Sequence, residues 1–314
     1  MPKARDRVQA RPLLFTIYGD LIVRYGQDVW IGSLIRALGE FGLQAPAVRM
    51  AVSRSVREGL LRALTDDKKG YYTLTEKGRS RLEDGVRRVY RQLPSPWDGQ
   101  WRVVTFNVPE NRRDLRDRIG AELEWRGFGR ITPTTWISPH RQEDAILRLA
   151  VEYDLLGYLH QFTARYGGPQ TDREVAVQCW DLPKIATKYQ EFNAEVQGRI
   201  DSLRMRLASG VEIPDNYCFV ERIWLVHEWR KFLHFDPDLP VELLPSEWPG
   251  ALPRQLFWEY YKLLSSGAER FFLELFHAPT GAVGAGGHPA TDSKQTDSKP
   301  AARRKRRSML RQEW

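Results

Sequence analysis

"PAVRMAVSRSVREGLLRALTDDKKGYYTLTEKG", residues 46–78, holds two hydrophobic periods in one short run. In its first half Val48, Val52 and Val56 recur at i, i+4 and i+8, the spacing that lines up side chains along one face of an α-helix, and Pro46 suits a first helical turn. After Gly59 the text becomes "LLRAL", a polar turn "TDDKKG" and "YYTLT", which predicts two strands joined by a tight turn. Upstream, Leu13, Leu14, Ile17, Leu21 and Ile22 predict one amphipathic helix stopped at Gly26. Ile31, Leu34, Ile35 and Leu38 predict a second, ending near Gly39 to Gly42. Three helices closed by a hairpin describe a winged helix-turn-helix over residues 12–92, with a fourth helix from Glu76 to about Arg91 that turns Leu82, Val86 and Val89 inward.

The valine seam leaves Arg49, Met50, Ser53, Arg54 and Arg57 on the far side or flanks of its helix. That division suits a helix that docks on its neighbours and enters the major groove of double-stranded DNA, where arginine pairs bidentately with guanine and serine contacts a base or phosphate. Lys68 and Lys69, at the hairpin turn, would neutralise phosphates. The charge of the whole chain points the same way. It has 314 residues, a formal net charge of +8 and an isoelectric point near 9.5. The first ~92 residues hold about 18 Lys and Arg against about 10 Asp and Glu, the last ~14 add about +5, and the stretch between is left near −5. Segregated basicity, the helix order and a glycine-tipped basic turn agree on DNA as the partner.

The remainder divides by pattern. "LPSPWDG" breaks the periodicity and predicts a linker. From Trp101 the expected order is strand, helix (Arg112 to Arg126), strands "FGRIT" and "TTWIS", helix (Glu143 to Tyr153) and strand "YLHQFTARY". This βαββαβ order is that of a ferredoxin-like domain, placed at 98–168 and read as a dimerisation module or spacer. Residues 172–278 are helical in period throughout, with prolines in the connections. The fold class is therefore α+β with an all-helical C-terminal part. Residues 279–314 are Gly, Ala, Ser, Thr and Lys up to "RRKRR" and are expected to be a disordered basic tail. Two cysteines, Cys179 and Cys218, fit a reduced cytoplasmic protein. "PLLFTIY" is followed too soon by Asp20 and Arg24 to be a membrane span or signal core, so no membrane partner is expected.

"APAVRMAVSRSVREGLL", "GYYTLTEKG", "WRVVTFNVPE" and "HEWRKFLHFDPDLPVELLPSEWPG", in this order, resemble the PaaX family of bacterial repressors over about residues 12–278. The resemblance implies a winged-helix domain, a central ferredoxin-like domain and a helical C-terminal domain in a homodimer. It also implies repression of aromatic-acid catabolic genes, relieved by an aryl-CoA thioester such as phenylacetyl-CoA, with no cofactor. For such an effector, Arg222, Trp224, His227, Arg230 and His234 on one helix and its following turn, closed by Trp248, set aromatic rings near cations, the chemistry that an apolar ring carried with phosphates requires. Phe192, Phe219, Phe232 and Phe235 are assigned to core.

Enzymatic readings find little footing, and no catalytic or metal-binding residues are expected. "HEWRK" at His227 lacks the second histidine of a zinc protease helix, since Lys231 stands there. The central region is similar to the small CRISPR-adaptation nuclease fold, but Asn107 stands where a metal-binding aspartate is wanted, and a neutral amide is a poor ligand for a hard cation. A metal-dependent nuclease and an effector-independent nucleoid protein are the alternatives to a repressor. No G-x-S-x-G elbow, P-loop or dinucleotide glycine fingerprint is present.

Overall fold

In the computed structural model, which describes residues 9–25, 28–66, 69–90 and 96–277, the apolar face of the first helix is wholly enclosed. Helix α1 (Ala10–Ile17) buries Leu13, Leu14 and Ile17, then widens into a π-helical segment, Tyr18–Ile22, before ending as α2 (Val23–Tyr25). The single helix expected here is therefore interrupted, and the wider turn carries a fully buried carboxylate, Asp20. The expected stop at Gly26 lies outside the described residues, as do Arg91, the start of the linker and the tail 279–314.

A two-residue strand, β1 (Val29–Trp30), leads into α3 (Ile31–Gly39), and Gly42, at φ +78°, supplies the left-handed turn into α4 (Ala45–Arg57). Strands β2 (Leu61–Asp66) and β3 (Lys69–Leu74) form the expected hairpin, with Ala63 opposite Tyr72. Strand β1 adds to the far side of β3, giving an antiparallel sheet of order β1-β3-β2. Thr75 then caps α5 (Glu76–Val89): its hydroxyl accepts from the Gly78 amide at 3.0 Å and donates to the Gly59 carbonyl at 2.6 Å, clipping the exit of α4 to the start of α5.

The next six regular elements follow the expected order: β4 (Trp101–Phe106), α6 (Arg113–Trp125), β5 (Gly129–Thr132), β6 (Thr135–Ser138), α7 (Glu143–Glu152) and β7 (Leu159–Ala164). All strand pairs are antiparallel and the sheet order is β5-β6-β4-β7. Val104, Phe106 and Trp136 face α6 and α7, meeting Ile119, Leu123 and Ile146 in a core of their own. The opposite face of β4 turns Trp101 onto Trp180, and the Trp101 indole N–H donates to Asp172.

Residues 172–277 form only helices: α8 (Asp172–Cys179), α9 (Leu182–Ala208), α10 (Asp215–Lys231), two 3₁₀ turns (Phe232–His234 and Val241–Leu243) and α11 (Leu252–His277). Tyr189, Phe192, Trp229, Phe232 and Phe257 pack ring against ring at their centre. Phe219 is buried as expected, while Phe235 is only partly covered. This core is continuous with Leu13, Leu34 and Val52, so the first helices and the last share one apolar interior.

Candidate functional site

Helix α4 divides as its sequence requires. Val48, Ala51, Val52 and Ser55 are buried against α1, α3 and β2, Val56 is half-buried, and the Ser55 hydroxyl returns to the Ala51 carbonyl. Arg49, Met50, Ser53, Arg54 and Arg57 are all exposed, Met50 by 53%. Among the described residues no carboxylate pairs with Arg49, Arg54 or Arg57, so three guanidiniums stand uncompensated along one ridge. Lys68 and the side chain of Lys69 lie outside the described residues.

The six residues expected to receive an effector do not converge. Four of them lie on α10, where 100° per residue sends them to different faces, while His234 lies on the following 3₁₀ turn and Trp248 in the connection before α11. Arg222 is fully buried and committed elsewhere: its Nε donates to Asp20 at 2.8 Å and its Nη1 to Glu269 at 3.0 Å. Burial works against its charge, and Asp20, Tyr261 and Glu269 together more than offset this, so its pKa is raised. Trp224 lies under the Arg199 guanidinium, 3.6 Å from the ring centre. Trp248 packs edge-on against Tyr189.

His227, Arg230 and His234 face the other way. The His227 Nδ1 lies 3.2 Å from the Thr16 hydroxyl, and Arg230 donates to the Pro12 carbonyl at 2.6 Å and to Thr16 at 2.8 Å. Exposed His234 sets its ring 4.8 Å from that of Trp125. Arg230 and His234 border a cavity of about 770 Å³ between α1, α5, α6 and the end of α10. Its remaining cations, Arg11, Lys77 and Arg81, escaped sequence reasoning because the wall they share with Arg230 exists only once α5 packs across α10. The i, i+4 placement of Lys77 and Arg81 was the one signal available.

Burial, then the charges of Arg230 and Lys231, push the His227 pKa down to about 4 from its ordinary value near 6.5. The imidazole is neutral in the folded chain at pH 7, while the unfolded chain takes up a proton first as the pH falls. The stability gained from this difference is complete above pH 6.5 and is lost as the pH drops through about 4. Urea unfolding at pH 7 and pH 4.5 is expected to show an acid loss about 2 kcal/mol larger in the parent than in His227→Gln. Equal acid losses would mean that His227 titrates normally.

Three family models cover the chain in succession. Residues 9–78 match the PaaX-like protein model, 94–176 the PaaX protein central Cas2-like domain, and 180–274 the PaaX-like protein C-terminal domain. The chain belongs to the PaaX family. Among curated PaaX relatives, the transcriptional repressor PaaX of Escherichia coli (strain K12) is 27% identical over 285 residues, covering 89% of this chain and 88% of its own. Among solved structures, the uncharacterized protein Rv0674 from Mycobacterium tuberculosis is similar in fold at TM-score 0.50 and 22% identity, over 83% of this chain and 98% of that one. Asn107, where the nuclease alternative needs a carboxylate, is exposed just past β4, its backbone N–H donating to the Tyr158 carbonyl. Among the described residues no helix is long and apolar enough to cross a membrane.

Proposed function

We propose that this chain is a DNA-binding transcriptional repressor of aromatic, phenylacetate-type catabolic genes, acting in the cytoplasm as a homodimer and released from DNA by an aryl-CoA thioester such as phenylacetyl-CoA. Residues 12–92 act as a winged helix-turn-helix, with α4 as the recognition helix and the β2–β3 hairpin as the wing. Residues 98–168 act as a ferredoxin-like module, a reading supported by the strand order β5-β6-β4-β7 with both helices on one face. Residues 172–278 form the helical part that responds to effector. Two recognition helices in one dimer would enter successive major grooves, about 34–36 Å apart.

The observation that carries this reading is the ridge of α4: its inner face is fixed by buried valines while Arg49, Arg54 and Arg57 stand exposed, without carboxylate partners among the described residues. A helix so held can enter a groove without the rest of the fold moving. Its test is a gel shift on the protein's own promoter, titrated with phenylacetyl-CoA and other acyl-CoAs. The complex is expected to form without effector and to dissociate with an aryl thioester. Arg54→Ala should weaken the cognate complex by about 1–3 kcal/mol and relax discrimination against a random duplex. A loss of the same size on both duplexes would remove base reading from Arg54. Magnesium-dependent cleavage of the duplex would favour the nuclease alternative.

A further inference from the structure

The exposed ridge of α4 is not cationic along its whole length. At 100° per residue, the buried side chains Val48, Ala51, Val52 and Ser55 all point within about 50° of one direction. Pro46, Met50, Ser53 and Arg57 point within about 30° of the opposite direction, and Arg49 and Arg54 flank it by about 70° on either side. The crest of the helix therefore begins with a proline and a methionine, carries a hydroxyl in its middle and reaches a cation only at Arg57, in the last turn.

Met50 is what a solvated, charged helix face does not explain. It is 53% exposed, and among the described residues of 9–90 the other exposed large apolar side chain is Tyr25, whose ring meets that of Phe272 at 5.5 Å. Met50 belongs to neither apolar cluster of the described residues. Its neighbours one turn away are Pro46, Ser53 and Arg54. An apolar side chain in that place gains nothing from phosphates. On the floor of a major groove the base edges offer hydrogen-bond donors and acceptors, and the apolar group set among them is the 5-methyl of thymine. Position agrees with chemistry: a recognition helix reads bases with its N-terminal residues, and Met50 lies in the second turn of α4.

We propose that Met50 is a specificity-determining residue that packs on a thymine 5-methyl group, so that each half-site of the operator carries a T·A pair opposite it. This assignment rests on the reading of α4 as a recognition helix and gives that helix an apolar contact beside its charged ones. The buried face made by Val48, Ala51, Val52 and Ser55 fixes how far the crest advances, and the unbranched thioether adapts to the methyl without requiring one rotamer. Selection then depends on whether the methyl is present and not on the alignment of a hydrogen bond. Burying one methyl corresponds to about fourfold in affinity, and burying two, one for each helix of a homodimer, to about fifteenfold.

Uracil differs from thymine by this methyl alone and supplies the test. The full chain, Met50→Ala and Met50→Leu are titrated by fluorescence anisotropy against duplexes of the protein's own promoter made with thymine or with uracil throughout. The parent is expected to bind the uracil duplex about four- to fifteenfold more weakly than the thymine duplex. Met50→Ala should lose a similar factor on the thymine duplex and less than about twofold more on uracil, because the methyl no longer has a partner. Met50→Leu keeps an apolar side chain of similar volume and should retain most of the preference for thymine. Met50 packs in neither apolar cluster, so both variants should melt with the parent; if Met50→Ala does not, Met50→Leu and the parent's own thymine preference still decide. An equal thymine preference in the parent and in Met50→Ala would assign the methyl effect to duplex shape or to another side chain and overturn the role of Met50. A parent indifferent to uracil would overturn it as well, and either result leaves α4 standing as the DNA-binding helix. No binding of the thymine duplex by the parent would overturn the DNA reading, and the role of Met50 with it.

Discussion

Asp20→Ala is expected to lower the free energy of unfolding by about 3–5 kcal/mol, read as a shift of the urea midpoint at constant slope. Asp20 sits on the π segment with no exposed surface. It accepts from Arg222 Nε at 2.8 Å and Nη2 at 3.1 Å, from the Tyr261 hydroxyl at 2.8 Å and from the Tyr90 hydroxyl at 2.5 Å. Removing the carboxylate leaves a guanidinium that is itself fully buried. Its remaining charge partner is Glu269, about one-third exposed, and the face of Tyr261 lies 4.2 Å from it. Such a loss measures an uncompensated buried charge more than the worth of the ion pair, and this separates two explanations. If that account holds, Asp20→Leu combined with Arg222→Met recovers most of the stability, because neither charge is then desolvated. A double variant as unstable as Asp20→Ala would instead assign the effect to packing around the π segment. The group joins four elements, the π segment by Asp20, the end of α5 by Tyr90, α10 by Arg222 and α11 by Tyr261, so the same variant is expected to loosen the seam between α5 and α10 that borders the cavity.

How legible this was in the sequence depends on the range of the interactions. The valine seam of α4, the hairpin after Gly59 and the helical period from residue 172 onward are local patterns, and α4, the β2–β3 hairpin and helices α8 to α11 stand where those patterns run. Strand β1 is two residues long and exists because β3 offers it an edge; nothing within Val29–Trp30 announces that. The role of Asp20 was similarly hidden. The sequence showed a charge interrupting an apolar run, but its partner is 202 residues away. The residues expected to receive an effector are spread for a geometric reason: Arg222 and Arg230 are two turns and a fraction apart on α10, which turns one toward the Asp20 carboxylate and the other toward the cavity. The cavity itself draws on α1, α5, α6 and α10, and no single stretch carries its signature.

The ridge on α4 has a consequence that depends on charge number alone. Replacing Arg49, Arg54 and Arg57 together by alanine is expected to weaken duplex binding about 100- to 500-fold near 0.1 M salt and to flatten the plot of log affinity against log salt by about 2–3 units. Each phosphate neutralised by a cation releases about 0.9 of a counterion, so three lost contacts remove nearly three powers of the salt concentration from the binding constant. The fold should not contribute to this loss. All three side chains are exposed, none has a carboxylate partner among the described residues, and the seam that holds α4 is made of Val48, Ala51, Val52 and Ser55. The urea midpoint of the triple variant is therefore expected to match that of the parent within about 0.5 kcal/mol per exposed site. The two measurements divide the possible outcomes. A large affinity loss with an unchanged salt slope would mean that the arginines act by shape or base contact without displacing ions. An unchanged affinity would place the DNA on another surface, and the exposed ridge of α4 would then be a solvated helix face with no part in recognition.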